Sequence, residues 1–182
     1  EVSLVCVRQE DNNIVFYPLI ENFHKDGILR YSKFPYINKE LQNTAEKYGE
    51  ELLNYFKYVG VLVVEFFVSK DGKLVANEMA PRVHNSGHWS IEGSSTSQFE
   101  LHVRAITGDL DKKTINFKSS LMFNILSKYP DDNILNALES HYFHSYDKEE
   151  RNLRKLGHIT ITKNSTEQLE SILPECLKLL DN

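Results

Sequence analysis

Two glutamates on one predicted β-hairpin are the residues best suited to bind a metal ion. Glu65 interrupts the otherwise apolar stretch Gly60–Val68, and Glu78 lies on the strand that follows the turn at residues 69–72. A carboxylate buried in an apolar strand is strongly destabilising unless a partner balances its charge. A divalent cation shared with Glu78 would provide that balance, because hard cations such as Mg²⁺ prefer carboxylate oxygens.

The pairing of the two hairpin strands decides whether these carboxylates meet. With a four-residue turn, the predicted register pairs Glu65 with Ala76 and Val63 with Glu78, so the two glutamates are diagonal neighbours on one face. Their Cβ atoms would then lie within about 8 Å of each other. A register changed by one residue would place them on opposite faces, and a solvent-facing Glu65 on a half-exposed sheet is the competing interpretation.

Cationic and hydrogen-bonding side chains follow the second glutamate directly. Arg82 can bind a carboxylate or a phosphate through two parallel hydrogen bonds, which makes it a candidate for holding an anionic substrate. His84 and His88 are four residues apart, which is the spacing of some zinc sites. The general-base glutamate of the metalloprotease motif is missing, however, and Gly87 disfavours the helix that this motif requires. We therefore favour an anion-binding loop over a zinc site.

A second group of cations lies later in the chain. Lys148, Arg151, Arg154 and Lys155 fall within eight residues and could together bind a phosphate. Two glutamates lie among them, so a solvated loop that neutralises its own charge is the alternative. The sequence has neither a Walker-type phosphate loop nor a dinucleotide fingerprint, so a nucleotide would need another binding mode.

Composition excludes several classes of protein. The 182 residues carry a formal net charge of -5, with both signs mixed along the chain, which offers no broad basic face to nucleic acid. Cys6 and Cys176 are far apart and lack the spacing of a redox or zinc motif, as is typical of a reducing compartment. The longest apolar stretch is too short to span a bilayer. We expect a cytoplasmic protein that binds neither membranes nor nucleic acid.

These candidate residues must be positioned by a fold that the residue pattern predicts to be α+β with mostly antiparallel sheets. Asn38 should cap a long amphipathic helix, Ser97 and Glu100 should form a capping box, and Ser165 with Gln168 a second one. Pro174 should kink the last helix or start a new one. Strands are predicted at residues 1–8, 14–17, 61–68, 73–79, 121–126, 142–146 and 158–162, helices at 39–57, from 98 to about 107, at 134–138 and after 165, and irregular structure at 21–36 and 81–95.

Several segments together resemble one enzyme family. The most specific is residues 77–89, which reads Asn-Glu-Met-Ala-Pro-Arg-Val-His-Asn-Ser-Gly-His-Trp. This wording resembles the ATP-grasp enzymes of the 5-(carboxyamino)imidazole ribonucleotide synthase family. Further matching segments are residues 1–4, 17–19, 21–29, 58–61, 97–100, 102–108, 146–148 and 154–158.

The resemblance implies a fold and a reaction. Residues 1–110 would be the C-terminal half of an ATP-grasp domain, an antiparallel sheet with helices, and residues 111–182 a small α/β C-terminal domain. The implied enzyme is an ATP-dependent carbon-nitrogen ligase of purine biosynthesis, with ATP and Mg²⁺ as cofactors. It phosphorylates bicarbonate to carboxyphosphate and passes the carboxyl group to 5-aminoimidazole ribonucleotide. The family also suggests a homodimer.

The same resemblance implies roles for residues that bind the nucleotide and the metal. Glu65 and Glu78 would hold magnesium, in agreement with the hairpin argument. Glu1 would bind the ATP ribose, His24 would lie near the nucleotide, and Asn77 and Glu78 would complete that site. Each of these roles is carried over from the matching segments.

Substrate roles follow from the resemblance in the same way. Arg82 would be the catalytic residue that orients bicarbonate or carboxyphosphate. His84 and Asn85 would face the substrate beside it, and Lys148 and Arg154 would hold the phosphate of the ribonucleotide.

Departures from the family pattern limit what the resemblance implies. Many ATP-grasp enzymes have an asparagine two residues after the second metal glutamate, whereas this sequence has Ala80. The family's N-terminal domain and the lysines and glycine-rich loop of the ATP-grasp lid do not appear in the 182 residues, so we expect these residues alone to be inactive. A formate-dependent glycinamide ribonucleotide transformylase, which shares a Pro-Arg-x-His loop, and a non-catalytic module are the alternatives.

Overall fold

The computed structural model describes residues 1–109 and 115–180. Its strands are β1 (Val2–Arg8), β2 (Ile14–Phe16), β3 (Ile20–Lys25), β4 (Ile28–Phe34), β5 (Gly60–Val68), β6 (Leu74–Ala80), β7 (Ser119–Leu126), β8 (His141–Ser145) and β9 (Lys155–Lys163). Its helices are α1 (Lys39–Phe56), α2 (Ser90–Gly93), α3 (Gln98–Thr107), α4 (Asp132–Ala137) and α5 (Thr166–Leu180), and a 3-10 turn covers Asn85–Gly87.

One antiparallel sheet connects all of these strands. The order across the sheet is β6-β5-β1-β3-β4-β7-β9-β8, and β2 pairs with a further part of β1. Each described pairing is antiparallel. The α+β prediction with an antiparallel sheet and helices is therefore confirmed.

Alternation along β1 separates the core into two layers. Leu4 packs with Leu41 and Leu53 of α1 on one face of the sheet, whereas Val5 packs with Leu101 of α3 on the other. This follows from strand geometry, because successive side chains point to opposite faces. A third core lies between α5 and the last strands, and includes Leu121, Phe123, Ile159, Ile161, Leu169 and Cys176.

The predicted helix starts agree with the observed caps. Asn38 accepts a hydrogen bond from the backbone N–H of Leu41 through Oδ1 at 3.1 Å, and Ser97 Oγ accepts one from Glu100 at 3.2 Å. These bonds satisfy N–H groups that have no partner within their helix. Helix α1 therefore begins one residue after Asn38, and α3 one residue after Ser97.

The prediction of irregular structure at residues 21–36 is wrong, because most of this segment forms β3 and β4. The two strands are joined at Asp26 and Gly27, whose φ angles are 54° and 73°. An Asp-Gly pair with two positive φ angles is typical of a two-residue hairpin turn. The Asp26-Gly27 dipeptide is therefore the sequence signal from which this hairpin could have been predicted.

Of the two outcomes predicted for Pro174, the start of a new helix is wrong. Helix α5 continues through Pro174 as one element, and no new helix starts there. Proline removes one backbone hydrogen bond, but the apolar face that buries Leu169 and Cys176 extends to both sides of it. Packing of this face on the sheet therefore holds both parts of the helix in place.

Two points concern the chain as a whole. The predicted domain boundary between residues 110 and 111 lies outside the described residues. Within 1–109 and 115–180, no helix is both long and apolar enough to cross a membrane.

Candidate active site

The hairpin of β5 and β6 brings the two predicted metal-binding glutamates directly opposite each other. Glu65 pairs with Glu78, so the predicted pairs Glu65 with Ala76 and Val63 with Glu78 are wrong. The prediction that both glutamates lie on one face as neighbours is confirmed by this pairing, because directly opposite residues share a face. The two glutamates are therefore neighbours because they pair directly, and not as the diagonal neighbours that were predicted.

A β-bulge is the reason for the difference. The turn leaves Lys73 outside the ladder and pairs Val68 with Leu74, and this register alone would place Asn77 opposite Glu65. The ladder shifts by one residue beyond Phe66, so Asn77 is the extra residue and the next glutamate meets Glu65. The bulge restores the shared face that the longer turn would have abolished.

Burial makes Glu65 an unusual carboxylate. The residue is 4% exposed, and its Oε1 accepts no hydrogen bond from the described residues. Burial raises the pKa of Glu65 to about 7, and the nearby carboxylates of Glu78 and Glu1 act in the same direction. A bound cation would give the unpartnered Oε1 a partner and favour the ionised form of this carboxyl group.

His84 lies between the two glutamates. Its Nδ1 is 3.7 Å from Glu65 Oε1, and its Nε2 is 3.6 Å from Glu78 Oε1. One ligand atom from each of the three residues lies within 4.8 Å of the others. Burial, followed by the charges of Arg82 and Lys155, lowers the pKa of His84 to about 4, so its ring is neutral at pH 7.

This group of side chains fits a divalent cation. The two carboxylates suit Mg²⁺, which binds oxygen, while the imidazole of His84 is a ligand that Mg²⁺ does not favour. His88 is not part of either described group of three potential metal ligands. The structure therefore supports a carboxylate site rather than the alternative zinc site built from His84 and His88.

The predicted nucleotide-binding residues lie on the neighbouring strands. His24 Nδ1 is 3.3 Å from Glu1 Oε2, and these two residues and Glu65 form a second group whose ligand atoms lie within 4.8 Å. Burial lowers the pKa of His24, although the Glu1 carboxylate acts in the opposite direction. Glu1 and His24 thus lie next to Glu65 of the β5–β6 hairpin, and Asn77 is the exposed residue of its bulge.

A buried glutamine fixes the backbone of the loop after the hairpin. Gln98 accepts a hydrogen bond from His84 N–H at 3.1 Å and donates one to His84 C=O at 2.7 Å. A Cβ on Gly87 would lie 2.5 Å from Gln98 Oε1, so only glycine fits there without movement. The sequence motifs predicted no role for Gln98. In the sequence it stands out only as a polar residue directly after the helix cap Ser97.

Asn85 is held in an amide pair. Its Nδ2 donates to Asn124 Oδ1 at 2.9 Å, and Asn124 Nδ2 donates back to Asn85 Oδ1 at 2.7 Å. Lys155 Nζ also donates to Asn85 Oδ1 at 3.0 Å. The amide of Asn85 therefore has a fixed orientation, in which the oxygen faces donors and the nitrogen faces an acceptor.

Lys155 is a further candidate for a functional residue. The sequence analysis named it only as one of four cations in a basic cluster and predicted no separate role for it. Burial lowers the pKa of its ammonium group, while the carboxylates of Glu65 and Glu78 act to raise it. The positive charge of Lys148 also lowers the pKa of Lys155, so charges of both signs act on this ammonium group. Strand β9 thus delivers a cation to a site formed by residues some 70 to 90 positions earlier.

Three further residues are predicted to bind the substrate, namely Arg82, Lys148 and Arg154. Arg82 is exposed, and its Nη1 donates to the carbonyl of Val83 at 2.9 Å. Lys148 is exposed and places its Nζ 5.2 Å from the centre of the Tyr146 ring. Arg154 is half-buried one residue before β9.

Comparisons with known families match both parts of the chain. The profile of the ATP-grasp domain matches residues 1–99, and that of the phosphoribosylaminoimidazole carboxylase C-terminal domain matches residues 120–172. Among curated proteins, the N5-carboxyaminoimidazole ribonucleotide synthase of Escherichia coli K12 is 45% identical over 182 residues, which cover 99% of this chain and 50% of that protein. The Pseudomonas aeruginosa synthase is 42% identical over 181 residues, and again 50% of its length is covered.

Solved structures give the same result. The N5-carboxyaminoimidazole ribonucleotide synthetase of Thermus thermophilus has a TM-score of 0.92 and 42% identity, over 100% of this chain and 51% of the other. An Aspergillus clavatus synthase in complex with ADP and 5-aminoimidazole ribonucleotide has a TM-score of 0.88 and 28% identity, over 99% and 50% of the two chains. The chain spans about half the length of the relatives it matches.

Proposed function

The chain belongs to the ATP-grasp family and, within it, to the N5-carboxyaminoimidazole ribonucleotide synthases, and from this premise we propose that the intact protein uses ATP to carboxylate 5-aminoimidazole ribonucleotide. The carboxyl group comes from bicarbonate, and the products are N5-carboxyaminoimidazole ribonucleotide, ADP and phosphate. The observation that carries this proposal is the pairing of Glu65 with Glu78, whose carboxylates act on the ammonium group of Lys155 of β9.

In the proposed reaction, two bonds between heavy atoms form and two break, and one N–H proton of the amine passes to the departing phosphate. An oxygen of bicarbonate attacks the γ-phosphorus of ATP, and ADP leaves as carboxyphosphate forms. The exocyclic amine of the ribonucleotide then attacks the carboxyl carbon, phosphate leaves, and the amine loses a proton. Both steps concentrate negative charge where donors and cations must already be in position.

Glu65 and Glu78 are the residues proposed to hold Mg²⁺. The orphaned Oε1 of Glu65 and the opposing carboxylate of Glu78 support this assignment. Magnesium bound there would neutralise the charge that develops during phosphoryl transfer. Glu1, His24 and Asn77 are proposed to bind the nucleotide next to it, since the first two contact each other beside Glu65.

The substrate side is proposed to lie on the loop after the hairpin, residues 81–89 (the substrate loop), and at the start of β9. Arg82 would orient bicarbonate or carboxyphosphate, and His84 and Asn85 would contact the ribonucleotide. Lys148 and Arg154 would bind its phosphate. The proximity of Lys155 to Asn85 and to both glutamates supports a continuous site between these two groups.

We also propose that the intact protein is a cytoplasmic homodimer, as the family suggests. The two buried free cysteines, Cys6 and Cys176, are consistent with a reducing compartment. Sedimentation equilibrium of the intact protein would test the dimer, and a monomer at micromolar concentration would contradict it.

The test of the proposed reaction is ADP release by the intact protein with each combination of acid and amine. Release should require both bicarbonate and 5-aminoimidazole ribonucleotide, because the amine consumes the carboxyphosphate. Formate with glycinamide ribonucleotide is the matched control for the related transformylase. Release with formate instead of bicarbonate, or no release with any pair, would contradict the proposal.

A further inference from the structure

A cluster of aromatic and acidic side chains behind the substrate loop has no role in the reaction described so far. His144 and His158 lie directly opposite each other on β8 and β9, and their rings stack with centres 4.6 Å apart and planes 15° apart. His144 Nε2 lies 2.6 Å from Glu92 Oε1. On its other side, His158 Nδ1 lies 2.9 Å from the hydroxyl of Tyr146.

Burial determines which nitrogen of His158 carries the proton. The residue is 1% exposed, and its Nε2 has no hydrogen-bond partner among the described residues. Burial, followed by His88 and His144, lowers the pKa of His158 to about 3, so the ring is neutral and has a single N–H. A buried N–H without an acceptor is more costly than a buried lone pair, which places the hydrogen on Nδ1.

This tautomer determines whether the Tyr146 hydroxyl accepts or donates in its hydrogen bond with His158. His158 Nδ1–H donates to the Tyr146 oxygen, so the phenolic hydrogen is free to donate to another group. Burial raises the pKa of Tyr146 to about 12, which keeps the hydroxyl protonated. Since His158 is fully buried and Tyr146 is half-buried, the tyrosine is the member of the pair that reaches solvent.

The surroundings of Tyr146 are those of a substrate-binding residue. Its backbone N–H donates to Leu156 C=O at 2.8 Å, which ties the main chain of Tyr146 to β9 directly after the end of β8. Lys148 Nζ lies 5.2 Å from the ring centre, and the ring of His88 lies 6.3 Å away on the side of the substrate loop. His88 Nδ1 in turn lies 3.0 Å from Asn85 C=O.

We propose that Tyr146 is a further substrate-binding residue, whose hydroxyl donates a hydrogen bond to a phosphate oxygen of the ribonucleotide next to the Lys148 ammonium group. His158 is a positioning residue that directs this hydroxyl, and the stacked His144, anchored by Glu92, keeps the His158 ring in place. The inference rests on the proposed function, because it assumes that the phosphorylated substrate lies between Asn85 and Lys148.

The experiment compares Tyr146→Phe with the wild-type intact protein. The variant keeps the ring and loses only the hydroxyl, so KM for the ribonucleotide should rise about tenfold while KM for ATP stays unchanged. Inhibition by the nucleoside that lacks the phosphate should change less than about twofold. Tyr142→Phe, the same change at an exposed tyrosine on β8, is the control and should match the wild type.

Two further variants separate positioning from packing. His158→Phe should reproduce the KM change, and adding it to Tyr146→Phe should weaken binding no further, because His158 acts on the substrate only through the Tyr146 hydroxyl. His158→Asn, whose amide can replace the Nδ1 donor, should recover part of the affinity. Equal weakening of nucleotide and nucleoside, or an unchanged KM in Tyr146→Phe, would overturn the inference.

Failure of the proposed reaction would be recognised separately. If the wild-type protein does not release ADP with bicarbonate and the ribonucleotide, calorimetric binding of the ribonucleotide to the wild type and to Tyr146→Phe makes the same comparison. An affinity about tenfold lower in the variant would support the role of Tyr146 without turnover. Equal affinities, or no binding to either protein, would overturn it.

Discussion

The β5–β6 hairpin around Glu65 and the framework region, which comprises Asn85, Asn124, Glu92, His144 and His158, differ in the partners of their charged and amide groups. In the hairpin, Glu65 is buried with an unpartnered oxygen and faces a second carboxylate. In the other region, Asn85 and Asn124 bond each other in both directions, and His144 meets a carboxylate. We propose that the first region is electrostatically incomplete until a cation binds, whereas the hydrogen bonds of the second form a framework that positions groups for the substrate.

The largest expected effect comes from removing the charge of the incomplete region. Glu65→Gln/Glu78→Gln should reduce ADP release by the intact protein by at least about 10³-fold, because it removes both proposed magnesium ligands. Without metal, the same variant should unfold at a higher urea concentration than the wild type, since two facing carboxylates repel each other.

The matched control for this double change is Glu50→Gln/Glu51→Gln on the exposed side of α1. It should leave both ADP release and urea unfolding close to wild-type values. A glutamine pair at positions 65 and 78 that lowers stability in chelator would contradict the comparison, because the hairpin would then gain stability from its carboxylates.

Acid should affect the framework region through His158. The pKa of His158 is lowered to about 3 in the folded protein from an ordinary value near 6.5. Between these two pH values the unfolded chain binds more protons than the folded protein. The free energy of unfolding therefore falls as the pH falls through this range. Between pH 7 and pH 4.5 this residue should remove about 3 kcal/mol of stability.

Urea unfolding of wild type, His158→Asn and His158→Gln at the two pH values measures this contribution. The two variants lack the titrating ring, so the wild type should lose about 3 kcal/mol more than either between pH 7 and pH 4.5. An identical loss in all three proteins would show that His158 does not stay neutral in the folded state.

Loss of the amide pair should weaken the framework without altering the hairpin. Asn124 is 6% exposed and also donates to Leu29 C=O at 2.8 Å, so Asn124→Leu should destabilise the protein by about 2 kcal/mol. The KM for ATP should be unchanged, and the KM for the ribonucleotide should rise as Asn85 loses its orientation. Asn152→Leu, at an exposed loop position, is the control. A changed KM for ATP alone would contradict the separation of the two regions.

The smallest expected effect concerns the cation that joins the two regions. Lys155→Met removes a positive charge near both glutamates, so binding of Mg²⁺ measured by calorimetry should tighten about threefold, even though turnover falls. Lys163→Met at the other end of β9 is the matched control. Weaker metal binding in Lys155→Met would show that the lysine supports the metal site rather than competing with it.

The sequence predicted the neighbourhood of the two glutamates but not their pairing. The apolar strand around Glu65 and the turn before Glu78 define a hairpin, whereas the bulge at Asn77 depends on how the ladder with β5 closes. The role of Lys155 was less accessible, because β9 reaches Asn85 only through the order of strands across the whole sheet. Local patterns therefore predicted elements and caps, and long-range pairing decided which side chains meet.

The most direct measurement is the position of manganese, used in place of magnesium, in crystals of the intact protein grown with ADP. An anomalous peak within about 2.5 Å of a carboxylate oxygen of both Glu65 and Glu78 is the predicted result, since their direct pairing places both oxygens on one face. A nucleotide-bound manganese that contacts neither carboxylate would contradict the proposal that this hairpin is the metal site.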